Sequence, residues 1–310
     1  MSFIAGVNLP WIRYGGDFGA NAWRPEGGLA SSLEDRARAE RALKDIAAAG
    51  GTVVRWFLLC DGRAGVLTDE RGEPAGLDER VLHDIDAALA LASDAGVRIM
   101  FVLFDFNWCH RQRHVNGVNL GGRGRAIVND GARRRLLDHV VSPVLTRFGA
   151  HDSVWAWDVI NEPEWITRGA GTFNPFRRVS AQAMRMFLGD TLELTRTLAR
   201  QPATVGLASA RGLELVKELP LDFYQVHWYD ALDRRAPLDC PVSAFRLPAP
   251  VLLGEFPTRG SRRSASDIVL LARRHGYSGA FAWSWMAEDR ATDPVQARAV
   301  LSAARDLLEA

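Results

Sequence analysis

The chain is poor in cysteine, and lysine is almost missing. Cys60, Cys109 and Cys240 are odd in number, far apart and without a Cys-x-x-Cys pair, which argues against a disulfide framework or a zinc ribbon. Net charge is also lacking: 38 basic against 37 acidic side chains leave +1 over 310 residues. Such a balance supplies no field for nucleic acid or an anionic membrane, and neither is expected as a partner. The basic side chains are arginines apart from Lys44 and Lys217, a bias of composition rather than a phosphate-binding device. Long apolar runs are missing too. The longest, such as Ile99–Phe104, have the length of a strand and cannot span a bilayer. Met1-Ser2-Phe3-Ile4-Ala5-Gly6 has neither the basic nor the apolar region of a secretory leader, so a cytoplasmic location is the expectation.

Two common nucleotide signatures fail as well. Asn8-Leu9-Pro10-Trp11 after the first apolar run is unlike the Gly-x-Gly-x-x-Gly turn of a dinucleotide fold. Gly121-Gly122-Arg123-Gly124 follows no strand directly, so it is not read as a phosphate cradle. No linker or low-complexity tract interrupts the chain, and residues 1–310 are expected to form one catalytic domain.

What the sequence does contain is alternation. Short runs rich in Val, Ile, Phe and Trp predict strands near Phe3–Asn8, Thr52–Leu59, Val97–Phe104, Val154–Asn161, Thr204–Ala208, Phe223–His227, Pro250–Glu255 and Gly279–Trp283. Helical periods fall between them: Leu33–Ala49, around Val81–Ala92, Leu136–Phe148, Phe176–Arg200, Arg211–Glu218, Asp267–His275 and Pro294–Leu308. Gly50-Gly51 and Gly96 stop the first two. Eight strands alternating with helices predict an α/β fold, a single (β/α)8 TIM barrel.

In such barrels chemistry sits where the strands end. The predicted ends carry Asn8, Trp11 and Asp17; Arg55 and Trp56; Asp105, Asn107, Trp108 and His110; Asn161 and Glu162; His227, Trp228 and Tyr229; Glu255; and Trp283 and Trp285. This rim is rich in acids and flat aromatic rings. Rings suit the C–H face of a sugar, and carboxylates and amides suit its hydroxyls. Two segments stand out, Trp157-Asp158-Val159-Ile160-Asn161-Glu162-Pro163 and Leu252-Leu253-Gly254-Glu255-Phe256. A carboxylate directly after an apolar strand is costly to bury. One such residue is often a salt-bridged structural group. Two, on strands that lie nearly opposite each other, can act as an acid and a nucleophile.

On these residues the chain resembles glycoside hydrolase clan A, most closely family 5, the cellulase and mannanase family. The resemblance rests on Asn161-Glu162-Pro163, His227-Trp228-Tyr229, Glu255 and Trp283-Ser284-Trp285, in that order and spacing. It implies Glu162 as acid/base and Glu255 as nucleophile of a retaining β-glycosidase. It implies Arg55 and Tyr229 on the nucleophile, Asn161 on the sugar 2-hydroxyl, His227 in the same site and Trp283 as the floor, its peptide to Ser284 being cis. Asn107, Trp108 and Asp17 join these as substrate-binding candidates. The implied activity is hydrolysis of β-linked, β-1,4 gluco- or manno-configured oligo- or polysaccharides. Two departures from family 5 are visible: Asp105-Phe106-Asn107-Trp108 where the family often carries histidine, and a different opening at Asn8–Gly19.

Rival readings are a catalytically inactive carbohydrate-binding barrel and a metal-dependent sugar isomerase. His110 and His114 are four apart, as on a zinc-binding helix, but their segment reads as a loop without the His-Glu-x-x-His glutamate. No metal or cofactor is expected. Trp11, Trp23, Trp56, Trp108, Trp165, Trp228 and Trp285 are candidate sugar contacts, while Trp155 and Trp157 read as core. The long segment 105–129 could wall one end of a cleft, which favours exo action. Oligomeric state is left open.

Overall fold

The computed structural model describes residues 3–168, 179–230 and 238–309, with side chains described up to 304. Eight parallel strands close into a barrel: β1 (Ile4–Asn8), β2 (Val53–Phe57), β3 (Arg98–Asp105), β4 (Val154–Asn161), β5 (Ala203–Leu207), β6 (Tyr224–His227), β7 (Val251–Pro257) and β8 (Gly279–Trp283). Each strand pairs with its neighbours in sequence, and β1 pairs with β8 to seal the ring. The strands are therefore where the alternation predicts them, within one to two residues at nearly every end.

The helices form where apolar periods meet good caps. Ser32 accepts from the Asp35 amide to start the helix Leu33–Ala48, and Asp78 caps Glu79–Ala95. That second helix ends at Gly96, whose φ of 71° glycine adopts without penalty. Leu136–Phe148 is not one regular helix: α-helical turns at Asp130–Leu136 and Ser142–Phe148 flank a wider π segment, Leu137–Val141. Arg211–Glu218 reduces to a 3-10 turn and a short helix, Leu213–Val216. The helix expected over Phe176–Arg200 runs Ala181–Leu198, and the start of that expectation lies outside the described residues.

Inside the barrel, Val53, Met100, Ala156, Leu252 and Phe281 plug the end where the strands begin. A Cβ on Gly6 would fall 2.5 Å from the Phe281 ring, so this glycine lets a large side chain fill the axis. Above the plug the interior turns polar. Register shifts occur near the C-terminal ends of β5, β6 and β7. Bulges of this kind re-aim side chains, and here they lie beside Asn161, His227 and Glu255. Short two-stranded ribbons missed by the sequence reading decorate the same end, Val66–Thr68 with Pro74–Leu77 and Arg113–Val115 with Val118–Leu120. No helix among the described residues is long and apolar enough to cross a membrane.

Candidate active site

The C-terminal mouth of the barrel opens into a cleft of about 350 Å³, lined by Trp11, Tyr14, Phe57, Asp105, Phe106, Asn107, Asn161, Glu162, Tyr229, Glu255 and Trp283. Its organiser is Arg55, fully buried on β2. All five guanidinium N–H groups have acceptors: Nε and Nη2 reach Asp158 Oδ2 at 3.0 and 2.9 Å, and Nη2 also reaches Asn161 Oδ1 at 2.8 Å. Nη1 donates to Asn8 Oδ1 at 3.0 Å and to Glu255 Oε1 at 2.6 Å. Such a fork is what arginine, and not lysine, can satisfy. Gly206 makes room for it, since a Cβ there would fall 2.7 Å from Nη2 and 2.8 Å from Asp158.

Glu255 ends the apolar run of β7 and is 3% exposed. Its second oxygen accepts from the Tyr229 hydroxyl at 2.9 Å. Burial raises its pKa above the ordinary carboxylate range, while Arg55 and the Tyr229 hydroxyl favour the charged form. Tyr229 is itself pushed well up by burial and by Glu255, so it stays a donor.

Glu162 follows β4 in a left-handed backbone conformation, φ 49°. Its Oε2 accepts from Trp165 Nε1 at 2.7 Å and its Oε1 meets His227 Nδ1 at 2.9 Å. Burial pushes its pKa up to about 7, with the Trp165 hydrogen bond opposing. His227 is driven down to about 4, chiefly by burial, and is neutral near pH 7. Gln225 Nε2 faces its Nε2 at 3.5 Å, which assigns the ring proton to Nδ1, donating to Glu162. The two carboxyl groups thus differ: Glu162 meets neutral donors, and Glu255 touches a cation.

One ligand-capable atom from each of Glu162, His227 and Glu255 lies within 4.8 Å of the others, a possible metal triad. The donor set fits a cation badly. Glu255 already uses both oxygens, Glu162 uses Oε2, and the Arg55 charge is 2.6 Å from Glu255. A second cation there would face direct repulsion.

Of the candidates, the cleft gathers Asn107, Asn161, Glu162, Tyr229, Glu255 and Trp283, with Arg55 and His227 in direct contact behind them. The Trp283–Ser284 peptide is cis, and the Trp283 ring packs edge-on to Trp11 and Phe57 at the cleft wall.

Two candidates are corrected. Asp17 is 3% exposed and accepts from the Ile12 and Arg13 amides and from Trp56 Nε1; it closes the loop after β1 and does not reach the cleft. Trp108 is also 3% exposed, donates to the Leu59 carbonyl and packs against Phe104. Trp56, Trp228 and Trp285 are core as well. Trp11 lines the cleft, and Trp165 touches it through Glu162. Cys60 and Cys109 are free thiols whose pKa burial raises, the latter to about 12, which makes them poor nucleophiles. His114 sits on the exposed ribbon against Asn119 and His110 packs on Phe106, so the pair does not share a helix face.

Sequence reasoning missed Asp158, Tyr14 and Phe57. Asp158, fully buried, holds Arg55 from the side opposite Glu255. Its signal is visible in retrospect: an acid inside an apolar strand needs a buried cation, and Arg55 is the matching oddity in Val53-Val54-Arg55-Trp56-Phe57.

A closed parallel barrel whose glutamates after β4 and near the end of β7 approach each other in one cleft is the arrangement that a resemblance to glycoside hydrolase clan A, family 5, implies. The chain is similar to mannan endo-1,4-beta-mannosidase of Mytilus edulis, 27% identical over 321 aligned positions covering 91% of this chain and 83% of that one. It is also similar to the enzyme of that name from Cryptopygus antarcticus, at 22% identity over 91% and 80%. Among solved structures, endo-1,4-beta-mannanase from Eisenia fetida superposes with a TM-score of 0.81 at 23% identity, over 98% of this chain and 91% of that one. No family model matches the chain.

Proposed function

We propose that this chain is a retaining β-glycoside hydrolase that cleaves β-1,4-linked, manno-configured polysaccharide. The observation that carries the mechanism is the approach of the two glutamates, a carboxylate oxygen of Glu162 and one of Glu255 lying within 4.8 Å. Retaining enzymes hold their carboxyl groups about 5–5.5 Å apart, whereas inverting ones need about 6.5–9.5 Å to admit a water. In this reading Glu255, its lone pairs oriented by Arg55 and Tyr229, attacks the anomeric carbon while Glu162 protonates the departing oxygen. Glu162, now ionised, takes a proton from the water that releases the sugar from Glu255. A group raised to about 7 suits both halves of that cycle near neutrality. Asn161 offers its amide to the sugar 2-hydroxyl, and Trp283 with Trp11 supplies the apolar floor.

The names of the relatives support mannan as substrate and cleavage within the chain. This departs from the exo action expected from the long segment 105–129. That segment folds largely into a 3-10 turn and the ribbon Arg113–Leu120, which argues less for a wall than its length does. A product time course on mannohexaose and cellohexaose tests the proposal. Mid-chain cuts of mannohexaose from the first minutes are expected. Release of single sugars from one end, or preferential cleavage of cellohexaose, would overturn it.

A further inference from the structure

Asp105 is the third carboxyl group of the cleft, and the mechanism above gives it no task. It ends β3 directly opposite Asn161 in the barrel register and is 4% exposed. Both of its oxygens accept hydrogen bonds. Oδ1 accepts from the Asn107 amide at 2.9 Å and from Asn107 Nδ2, while Oδ2 accepts from Asn161 Nδ2 at 2.9 Å. Asn161 is held from the other side, its Oδ1 receiving Arg55 Nη2 at 2.8 Å. A flipped Asn161 would set its oxygen against Asp105 and its nitrogen against Arg55, two repulsive contacts at once. One Nδ2 hydrogen of Asn161 is spent on Asp105, and the other remains for the cleft that Asn161 lines.

We infer that Asp105 is a positioning residue for hydrolysis: as an acceptor on both oxygens it fixes the Asn161 amide with its nitrogen towards the sugar 2-oxygen. The inference rests on the glycosidase reading above. Burial pushes the Asp105 pKa up to about 7, and the bonds from Asn107 and Asn161 oppose that rise. The neutral isostere cannot serve. In Asp105→Asn an NH2 group must face either the two Asn107 donors or the Asn161 amide, and in the latter case Asn161 clashes or turns over.

The test compares an aryl β-mannoside with its 2-deoxy analogue on the parent, Asp105→Asn, Asn161→Ala and the double variant. Comparing each variant with the parent on the same substrate cancels the analogue's different intrinsic reactivity. Asp105→Asn is expected to lower kcat/KM on the mannoside by about 10- to 100-fold, the size of a lost hydrogen bond in a charged network. On the 2-deoxy analogue the loss should be under about threefold, and Asn161→Ala should erase most of the Asp105 effect. Equal losses on both substrates, or losses that multiply in the double variant, would mean a structural role and overturn the inference. If Asp105→Asn does not fold, Asp105→Ser is read on the same pair by the same criteria. A parent enzyme that hydrolyses neither substrate would overturn the glycosidase reading and this inference together, whereas equal losses in an active enzyme overturn this inference alone.

Discussion

Arg55→Ala probes the charge network that the whole cleft is built on. The guanidinium and its partners Asp158 and Glu255 are 0%, 0% and 4% exposed at the side chain, so water cannot replace the lost cation. Removing one partner of a buried ion pair costs about 3–5 kcal/mol, since it leaves charge uncompensated. An unfolding entropy near 2.1 cal/mol/K per residue gives roughly 0.65 kcal/mol per degree for a chain of this length. The expected fall in Tm is therefore about 5–8 °C. The sign of its pH dependence follows from Glu255, whose pKa burial already raises and which rises further without Arg55. A carboxyl raised in the fold penalises folding above its unfolded value of about 4.3, and the penalty fades as pH falls towards that value. Calorimetry at pH 8 and pH 5 should show the larger deficit at pH 8. Arg55→Lys keeps a positive charge with three donors on one atom, so it should recover part of the stability and little of the activity. An Arg55→Ala protein that melts within about 1 °C of the parent at pH 8, against the several degrees expected here, would refute the reasoning.

Glu162 must carry a proton to act as an acid, so kcat/KM should fall as pH rises through about 7. Glu162→Gln should remove that limb from a pH–rate profile and spare activated aryl glycosides relative to oligosaccharides. Trp108→Phe should leave KM on mannohexaose unchanged and cost about 1 kcal/mol in urea unfolding, for the lost bond to the Leu59 carbonyl; a raised KM would return Trp108 to the cleft.

Strand ends were legible because each buried strand is a short apolar run closed by a polar residue, and the barrel turns that punctuation into a common rim. Glu162, Glu255, Asn161 and Tyr229 reach the cleft for this reason. Direction beyond the strand end was not legible. Asp17 and Trp108 both follow strands, yet the loop at Asp17 folds back onto Trp56, and the 3-10 turn at Phe106–Cys109 rolls Trp108 under Leu59. One turn of a short helix decides between Asn107 in the cleft and Trp108 in the core. Asp158 and Arg55 sit at inward positions of β4 and β2, and only the closed barrel brings them to hydrogen-bond distance.

The central claim is that Glu255 forms and breaks the bond to the sugar, with Glu162 serving it as acid and then base. Azide rescue tests this most directly. Glu255→Ala on a β-mannoside with an activated leaving group should be inert in buffer. With azide added it should turn over and give the α-mannosyl azide, one displacement with inversion. Normal hydrolysis by Glu255→Ala, or a rescued product of β configuration, would contradict the account.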